Sequence, residues 1–401
     1  MSIIAQDFPI NELILELLKD KTEDGIIRLN LQGNRLFKMI GRRLNDPDMI
    51  SIINYLKKFP EITSLELPNN LISDCGIATL MIFIKKTKNI KYINLNNNDF
   101  GYKGLESIAD LGADCPFHTL KLAYNKFGAL GGAALSRLFY EENALEVVDL
   151  NDTNQDAKGL AYLFTGLMPS RGGKNKIRNI NLNKPIPQYF HAMPSAHIAE
   201  FLGQVFNDNT NLQEIHLRFY RFDCHDIEIM IQGSFSNNTL TCLDLNNNNI
   251  ADDGVEYLCR YLKTKPVLSS LMIGANNIKD AGARRLGFDL PFSNICFLDV
   301  TNNKITDEGV KDIFYAFRKE RASKGLCIWG NDMTHNSLLY LEKMLNEGLL
   351  HQNNLDVKLY TADNRLHAAR NHFTYEMFVK APVVLEKAEE KGFLDCIGTE
   401  I

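Results

Sequence analysis

The chain repeats one pattern of apolar and polar positions. Residues 240–250 read LTCLDLNNNNI, with leucine at positions 1, 4 and 6 of a frame and asparagine at position 9. Most copies start 27 or 28 residues apart, within the period of about 20–50 residues that is typical of stacked repeat proteins. The frame begins at ten residues, and a weaker copy begins at an eleventh: Ile26, Ile62, Ile90, Phe117, Leu145, Ile177, Leu212, Leu240, Leu268, Ile295 and Ser323.

Each unit carries two periodicities. Apolar residues alternate around positions 4 and 6, which predicts a short strand. Farther along, the spacing becomes helical, as at Val255, Leu258 and Leu262. A turn with Asp and Gly lies between, where we expect Thr306 or Asp307 to cap the amides of the helix that follows. One strand and one helix per unit predict a parallel sheet on one side and helices on the other.

Asparagine makes up roughly one residue in ten, well above its usual share. Where the chain leaves each strand, backbone groups face inward and must be paired. An Asn at position 9 offers both a donor and an acceptor, so we expect it to bridge adjacent turns. We call the asparagines at position 9 of successive repeats the asparagine column: Asn34, Asn70, Asn98, Asn125, Asn248, Asn276, Asn303 and Asn331. In the middle repeats, this position is occupied instead by Thr153, Pro185 and Tyr220.

With its long helical half and its Asp-x-Gly turn, the unit resembles the ribonuclease-inhibitor-like class of leucine-rich repeats over residues 26–350. The resemblance implies an α/β leucine-rich-repeat horseshoe, a solenoid of about 11 repeats with a parallel sheet on the concave face and helices on the convex face. It also implies an N-terminal capping helix at 1–25 and a C-terminal cap and tail at 351–401. The class includes inhibitors, GTPase-activating proteins and sensors, so the fold is predicted more sharply than the function.

Composition narrows the function. The net charge of −5 disfavours nucleic acid as a partner, because a phosphate-binding surface is basic. The eight cysteines form no CxxC pair, which predicts reduced thiols and a cytoplasmic protein. No apolar run reaches the ~18 residues of a membrane span, and the start of the chain lacks a basic signal-peptide region. Neither zinc-ligand spacing nor a phosphate-binding loop is present, so we predict no metal and no cofactor. We also expect a monomer.

The concave face is the predicted binding surface, because positions 3, 5 and 7 of each strand point away from the helices. Met272, Phe297 and Trp329 leave two alternatives open: an exposed aromatic patch that binds a partner, or a core that the C-terminal segment covers. A lengthened, proline-rich rim loop adds two more aromatic residues. The candidate partner-binding residues are Tyr92, Lys121, Asp149, Tyr189, Phe190, Glu214, His216, Arg218, Asp244, Met272, Phe297, Asp299 and Trp329.

The sequence gives less support to a catalytic function than to a binding function. Cys224, His225 and Asp226 are consecutive and cannot converge on one atom. His216 with Cys242 would be a diagonal pair on adjacent strands, about 7–8 Å apart. A GTPase-activating role would need an arginine such as Arg35 or Arg42. Members of the branch of the class with that activity resemble one another in carrying a long acidic C-terminal tail, which this sequence does not show. We therefore predict a non-enzymatic protein-binding scaffold, with a GTPase-activating or other catalytic protein as the alternative.

The last residues carry a further resemblance. Glu386, Glu389 and Glu390 lie about a dozen residues before an apolar chain end. Such a cluster resembles the translocation signals of type IV effectors from intracellular bacteria, some of which contain leucine-rich repeats. The resemblance implies a protein that is secreted into the host-cell cytosol and binds a host protein there. An amphipathic capping helix explains the same residues equally well.

Overall fold

A computed structural model describes residues 9–185, 195–317 and 325–380 of the chain. The chain divides into two compact units, Met1–Tyr220 and Arg221–Ile401, which are described separately here. The sequence pattern, with one continuous array at 26–350, did not predict this division.

The first unit alternates short strands with longer helices. Its strands are β1 (Lys19–Lys21), β2 (Ile27–Asn30), β3 (Ser64–Glu66), β4 (Tyr92–Asn94), β5 (Thr119–Lys121), β6 (Val147–Asp149), β7 (Asn179–Asn181) and β8 (Glu214–His216). Its helices are α1 (Glu12–Leu17), α2 (Gly33–Ile40), α3 (Asp48–Lys58), α4 (Asp74–Thr87), α5 (Tyr102–Ala109), α6 (Gly128–Phe139), α7 (Ala157–Leu167) and α8 (Ser195–Asp208).

The second unit shows the same alternation, followed by a hairpin and a short helix. Its strands are β9 (Cys242–Asp244), β10 (Ser270–Met272), β11 (Phe297–Asp299), β12 (Gly325–Cys327), β13 (Val357–Ala362) and β14 (Arg365–Arg370). Its helices are α9 (Cys224–Ser234), α10 (Ala251–Leu262), α11 (Asp280–Asp289), α12 (Asp307–Ala316), α13 (His335–Asn346) and α14 (Tyr375–Lys380).

Strand register follows the repeat frame. Position 3 of one repeat lies opposite position 3 of the next repeat, as Ser64 lies opposite Tyr92 and Tyr92 opposite Thr119. The same parallel pairing joins Cys242, Ser270 and Phe297 in the second unit. The predicted strand position, frame and direction are therefore confirmed.

The N-terminal segment differs from the expected capping helix. Helix α1 covers only Glu12–Leu17, and the chain then forms β1, which pairs antiparallel with β2. Because Lys19 lies opposite Leu29, β1 supplies partners for the first edge of the sheet, which a helix alone would leave unpaired.

The core lies between the strands and the helices. The leucines and isoleucines at positions 4 and 6 are buried, for example Leu65 and Leu67 at 0% exposure. The helical apolar residues Val255, Leu258 and Leu262 are buried as predicted. Burial of these side chains from both sides is what holds each strand against its own helix.

The asparagine column bridges neighbouring turns as predicted. Nδ2 of Asn276 donates to the carbonyls of Leu245 and Gly274, at 2.9 and 3.0 Å, and its Oδ1 accepts from the amide of Ile250. Equivalent bonds are made by Asn70, Asn98, Asn125, Asn303 and Asn331. Asn34 is the exception: it lies in helix α2 with an exposed side chain.

The Asp-x-Gly turn acts differently from the prediction. Asp280 lies at the start of α11, but its carboxylate accepts from the amides of Thr306 and Gly309, at 2.8 and 3.2 Å, and so caps the next helix. The hydroxyl of Thr306 donates to Asp280 rather than capping its own helix. A Cβ on Gly309 would lie 2.6 Å from that carboxylate, which explains the glycine. Asp74, Asp252 and Asp307 make the same kind of contact to the helix that follows.

After α13 the repeat pattern ends. Leu355 makes a single parallel bridge to Leu326. Strands β13 and β14 then form an antiparallel hairpin across a two-residue turn, Asp363 and Asn364, both with positive φ as a type I′ turn requires. Residues 365–370, which the sequence did not assign, are therefore a strand.

Candidate functional site

A row of polar side chains follows the inner side of the sheet in the first unit. Tyr92, Lys121, Asp149, Glu214 and His216 occupy positions 3 and 5 of strands β4, β5, β6 and β8. All five are partly exposed, while the apolar residue between them on each strand is buried. The alternation of a strand thus presents these five predicted residues on one surface.

Tyr92 begins this surface. Burial and the nearby Glu66 carboxylate, which hydrogen-bonds the phenol, raise the pKa of Tyr92 above its ordinary value. Glu66 also accepts from Nδ2 of Asn94 at 2.8 Å. Nζ of Lys121 lies 5.6 Å from the centre of the Tyr92 ring, a cation–π distance. The tyrosine is therefore held in one orientation by its neighbours.

Asp149 lies in the middle of the surface. Its burial raises the pKa of the carboxyl above the usual range, while the amide of Asn151 and the charges of Lys121 and His216 act in the opposite direction. The amide of Asn151 donates to Oδ1 of Asp149 at 3.1 Å. Desolvation dominates, so burial favours the neutral form of this carboxyl more than its neighbours favour the charged form.

Glu214 links two neighbours. Its Oε2 accepts from Nδ2 of Asn179 at 2.8 Å, and its Oε1 lies 2.8 Å from Nε2 of His216. At the end of the same segment, the backbone amide of Arg218 donates to Oδ1 of Asn183. These bonds fix the polar groups before any partner arrives, which lowers the entropic cost of binding.

The corresponding surface of the second unit is covered. Asp244, Met272 and Phe297 are 0%, 2% and 1% exposed. Phe373 and Phe378 of the C-terminal segment pack on Met272, Phe297, Cys242 and Cys327, and Tyr375 packs against the same cluster. Of the two alternatives left open for Met272 and Phe297, the structure has the covered core, because the chain buries apolar area by folding its own C-terminal segment onto them. Asp244, a candidate partner-binding residue, is buried as well.

Asp299 and Trp329 remain partly exposed in the second unit. Asp299 accepts from the amide of Thr301 at 2.9 Å and from Nδ2 of Asn246 at 2.8 Å. Trp329 lines an open cleft beside the hairpin. The structure therefore separates Trp329 from the buried Met272 and Phe297, with which the sequence had grouped it.

Two rim residues were missed by the sequence analysis. Tyr124 and Phe219 occupy position 8 of their repeats, where their backbone φ angles are 63° and 68°. Their side chains are 49% and 39% exposed. The left-handed region favours Asn or Gly and is an outlier for bulky residues. Asn69 and Asn97 stand at this position in earlier units. The signal was available: an aromatic residue replaces Asn at a position where the turn favours Asn.

Lys184 completes this rim. It also has a positive φ, of 56°; its Nζ lies 3.6 Å from Oδ2 of Asp152 and 5.8 Å from the centre of the Phe219 ring. The predicted rim loop follows Pro185, but Tyr189 and Phe190 lie outside the described residues.

The catalytic alternatives gain no geometric support. Cys242 is 0% exposed within the aromatic cluster. Arg42 forms two hydrogen bonds to the buried carboxylate of Asp48, at 2.7 and 2.8 Å. Within the described ranges, no cluster of three or more His, Cys, Asp or Glu residues could hold a metal ion. Across those ranges, too, every helix is too short or too polar to cross a bilayer.

A family model described as "Leucine Rich repeat" matches residues 87–109, 236–259 and 296–314. Each match contains one inner strand (β4, β9 or β11) and all or most of the helix that follows it. These three segments are similar to leucine-rich repeats, and the fold is that of a leucine-rich-repeat solenoid. The predicted solenoid of parallel strands and flanking helices is thus confirmed, and the ribonuclease-inhibitor-like character is supported by relatives.

Leucine-rich repeat-containing protein 34 of Rattus norvegicus is 28% identical over 193 residues, which cover 48% of this chain and 46% of that protein. The ribonuclease inhibitor of Mus musculus is 24% identical over 229 residues, covering 56% of this chain and 48% of the inhibitor. The matches span about half the length of these curated relatives. An internalin from Listeria monocytogenes has 18% identity and a TM-score of 0.33, covering 73% of this chain and 87% of its own.

Proposed function

We propose that the chain is a non-enzymatic protein–protein interaction scaffold. Its partner binds the inner surface of strands β4–β8 and the rim formed by Tyr124, Lys184 and Phe219. The single observation that carries this proposal is the row of partly exposed polar side chains, from Tyr92 to His216, that neighbouring groups already hold in place. Repeat solenoids of this class generally bind proteins, which supports the proposal.

The charges on this surface alternate. Lys121 lies beside Asp149 on the next strand, and Glu214 shares its carboxylate with Asn179 and His216. A surface of mixed sign fits a protein partner with a complementary pattern better than a uniformly charged polymer. The exposed rim aromatics supply the apolar contact that polar residues lack.

Comparative affinity capture with the full chain tests this. We expect a protein that is retained by the wild type to be lost with Lys121→Glu and with the double variant Tyr124→Ala/Phe219→Ala. The matched control is Lys158→Glu, an exposed lysine on helix α7. Equal recovery of every protein by Lys121→Glu and Lys158→Glu would contradict the assignment of the surface.

We further propose that the protein is a type IV secreted effector whose partner is a host protein in the host-cell cytosol. The support is the cluster of Glu386, Glu389 and Glu390 in the sequence; these residues lie outside the described structure. A translocation reporter fused to the full chain tests this, with the three glutamates changed to alanine. Equal delivery of both forms, or delivery of neither, would contradict it.

The alternative function is catalytic or GTPase-activating. It requires turnover of a substrate that depends on His216 or Cys242, or acceleration of GTP hydrolysis that depends on Arg35. Any such activity, lost on replacing one of these residues, would overturn the non-enzymatic proposal.

A further inference from the structure

A cleft of about 720 Å³ opens in the second unit between the end of strand β12, the start of helix α13 and strand β14. Its walls include Trp329, Met333, His335, Tyr360 and Arg365. The volume is comparable with that of small-molecule pockets, about 300–1,000 Å³, and the cleft is open to solvent on one side. It is distinct from the inner surface of the first unit.

The apolar part of the cleft is aromatic. Trp329 is partly exposed, and the Tyr360 ring stacks on the His367 ring with 5.4 Å between centres and 24° between planes. Tyr360 is 49% exposed although it is large and mostly apolar. Stacked, accessible rings of this kind are the usual anchors for an aromatic or aliphatic side chain of a partner.

The polar part of the cleft is basic. Arg365 lines the cleft together with the imidazoles of His335 and His367, and it is exposed. Lys358 and Arg370 are exposed elsewhere on the same hairpin, and no ion pair involves any of these three cations within the described part of the chain. The hairpin holds one acidic residue, Asp363 at its turn, and no Asp or Glu lines the cleft. On a chain of net charge −5, this is a local positive surface that complements carboxylates.

Two donors point to a carboxylate-bearing ligand with an extended backbone. Nδ1 of His335 accepts from the amide of Leu366 at 2.9 Å, so the ring proton of the neutral histidine lies on Nε2 and can donate. That bond also shows that the Leu366 amide faces away from β13. By the alternation of an antiparallel pair, the amide of Ala368 faces the same side, in the wall of the cleft, where an extended peptide could pair with it.

We propose that this cleft binds an acidic peptide segment of a partner protein, with an aromatic side chain against Trp329 and Tyr360 and flanking carboxylates on Arg365 and His335. The peptide lies extended beside β14 and pairs with the amide of Ala368, because the amide of Leu366 is already bonded to His335. A nucleic acid or an anionic membrane fits less well, because one arginine in an aromatic cleft, with two further cations on the same hairpin, does not form a phosphate track.

Tryptophan fluorescence reports on this site directly, because Trp329 is the single tryptophan of the chain. The probe is acetyl-Glu-Glu-Phe-Glu-Glu-amide, titrated into the full chain while tryptophan emission is recorded. We expect a saturable change with the probe. The analogue with alanine in place of phenylalanine and the analogue with lysine in place of every glutamate should each bind about tenfold more weakly or worse.

Arg365→Glu is the decisive variant, and its exposed position leaves the fold intact, which circular dichroism and thermal melting verify. We expect it to weaken probe binding about tenfold or more. Arg35→Glu, an exposed arginine in α2, is the matched control and leaves binding unchanged. Lys121→Glu also leaves it unchanged, so failure here is separable from failure of the inner-surface proposal.

Several outcomes would overturn the assignment. These are the absence of a saturable change, equal binding of the lysine analogue, or equal binding by Arg365→Glu. A tighter response to oligothymidylate or to phosphatidylserine vesicles than to the peptide would also overturn it, and would assign the cleft to a phosphate-bearing ligand.

Discussion

The ring of Phe378 lies 5.3 Å from the ring of Phe297, a residue 81 positions earlier on strand β11. A Cβ on Gly325 of the adjacent strand would lie 2.8 Å from Phe378 and 2.7 Å from Phe297. The glycine therefore makes room for the ring. As a result, Phe297 belongs to the core of the second unit, which is the second of the two alternatives that the sequence left open.

Changing Phe378 to alanine should uncover this cluster. Loss of a buried ring and of its contacts is expected to destabilise the packing of the C-terminal segment by about 3 kcal/mol. The buried thiols of Cys327 and Cys242 should then react faster with a thiol reagent, which measures the exposure directly. Met377→Ala, an exposed position on the same helix, is the control. Equal thiol reactivity in the two variants would show that Phe378 does not cover the cluster.

Asp356 should make stability depend on pH. Its carboxylate accepts from the amides of Ile328 and Trp329, at 2.8 and 3.0 Å, in the place of a further strand. Burial, assisted by the charge of Asp299, outweighs these bonds and raises the pKa of Asp356 to about 6. In the unfolded chain the carboxyl ionises near pH 3.9, roughly.

Because the folded state holds the proton more tightly, this contribution is fully present below about pH 4 and is lost as the pH rises through about 6. The free energy of unfolding of the wild type, relative to Asp356→Asn, should fall by on the order of 2–3 kcal/mol between pH 4 and pH 7. Urea unfolding at a series of pH values measures the difference. A difference that stays constant or rises with pH would refute the assignment.

Asn276 should be costly to replace. Its side chain is 0% exposed and serves two carbonyls and one amide of adjacent turns. Asn276→Ala leaves these buried groups unpaired, which is expected to lower the free energy of unfolding by about 2–4 kcal/mol. Asn336→Ala, at an exposed position of α13, should change it by less than about 0.5 kcal/mol. Denaturant unfolding of both variants distinguishes a bridging role from a general preference for asparagine.

Tyr124→Asn should raise stability while it weakens partner binding. The left-handed backbone at φ 63° is strained for tyrosine and is favoured by asparagine, so we expect a gain of about 1 kcal/mol in the free energy of unfolding. The reciprocal variant Asn97→Tyr, at φ 53°, should lose stability. Thermal melting checks both signs. If Tyr124→Asn is less stable than the wild type, the tyrosine serves packing rather than recognition.

The structural features that recur in every repeat could be predicted from the sequence. Strand positions, register and the asparagine bridges follow from a frame that recurs about every 28 residues, so Ser64, Tyr92 and Thr119 could be aligned before any coordinates. It also brought Lys121, Asp149 and His216 to one surface. These features depend on neighbours one period away, and the period is visible in the sequence.

Features outside the period could not be predicted. Phe373 and Phe378 follow the last repeat, and nothing in their spacing shows that they return to Phe297 and Met272. Strand β1 could not be predicted for the same reason, because it precedes the first repeat and occurs once. The cap of helix α12 was misassigned for a different reason. Local capping rules favour Thr306 or Asp307 at the start of that helix, whereas the carboxylate of Asp280 from the preceding repeat caps it.

The carboxylates that cap the following helix have an evolutionary consequence. Asp252 caps α11 and Asp280 caps α12, so the second unit is joined by identical links that each span one period. Deleting residues 252–279 would put Asp280 where Asp252 stood and leave its link to α12 intact. Duplicating the same stretch would add one more equivalent link. Such a chain can lengthen or shorten by whole repeats through recombination without inventing a new contact.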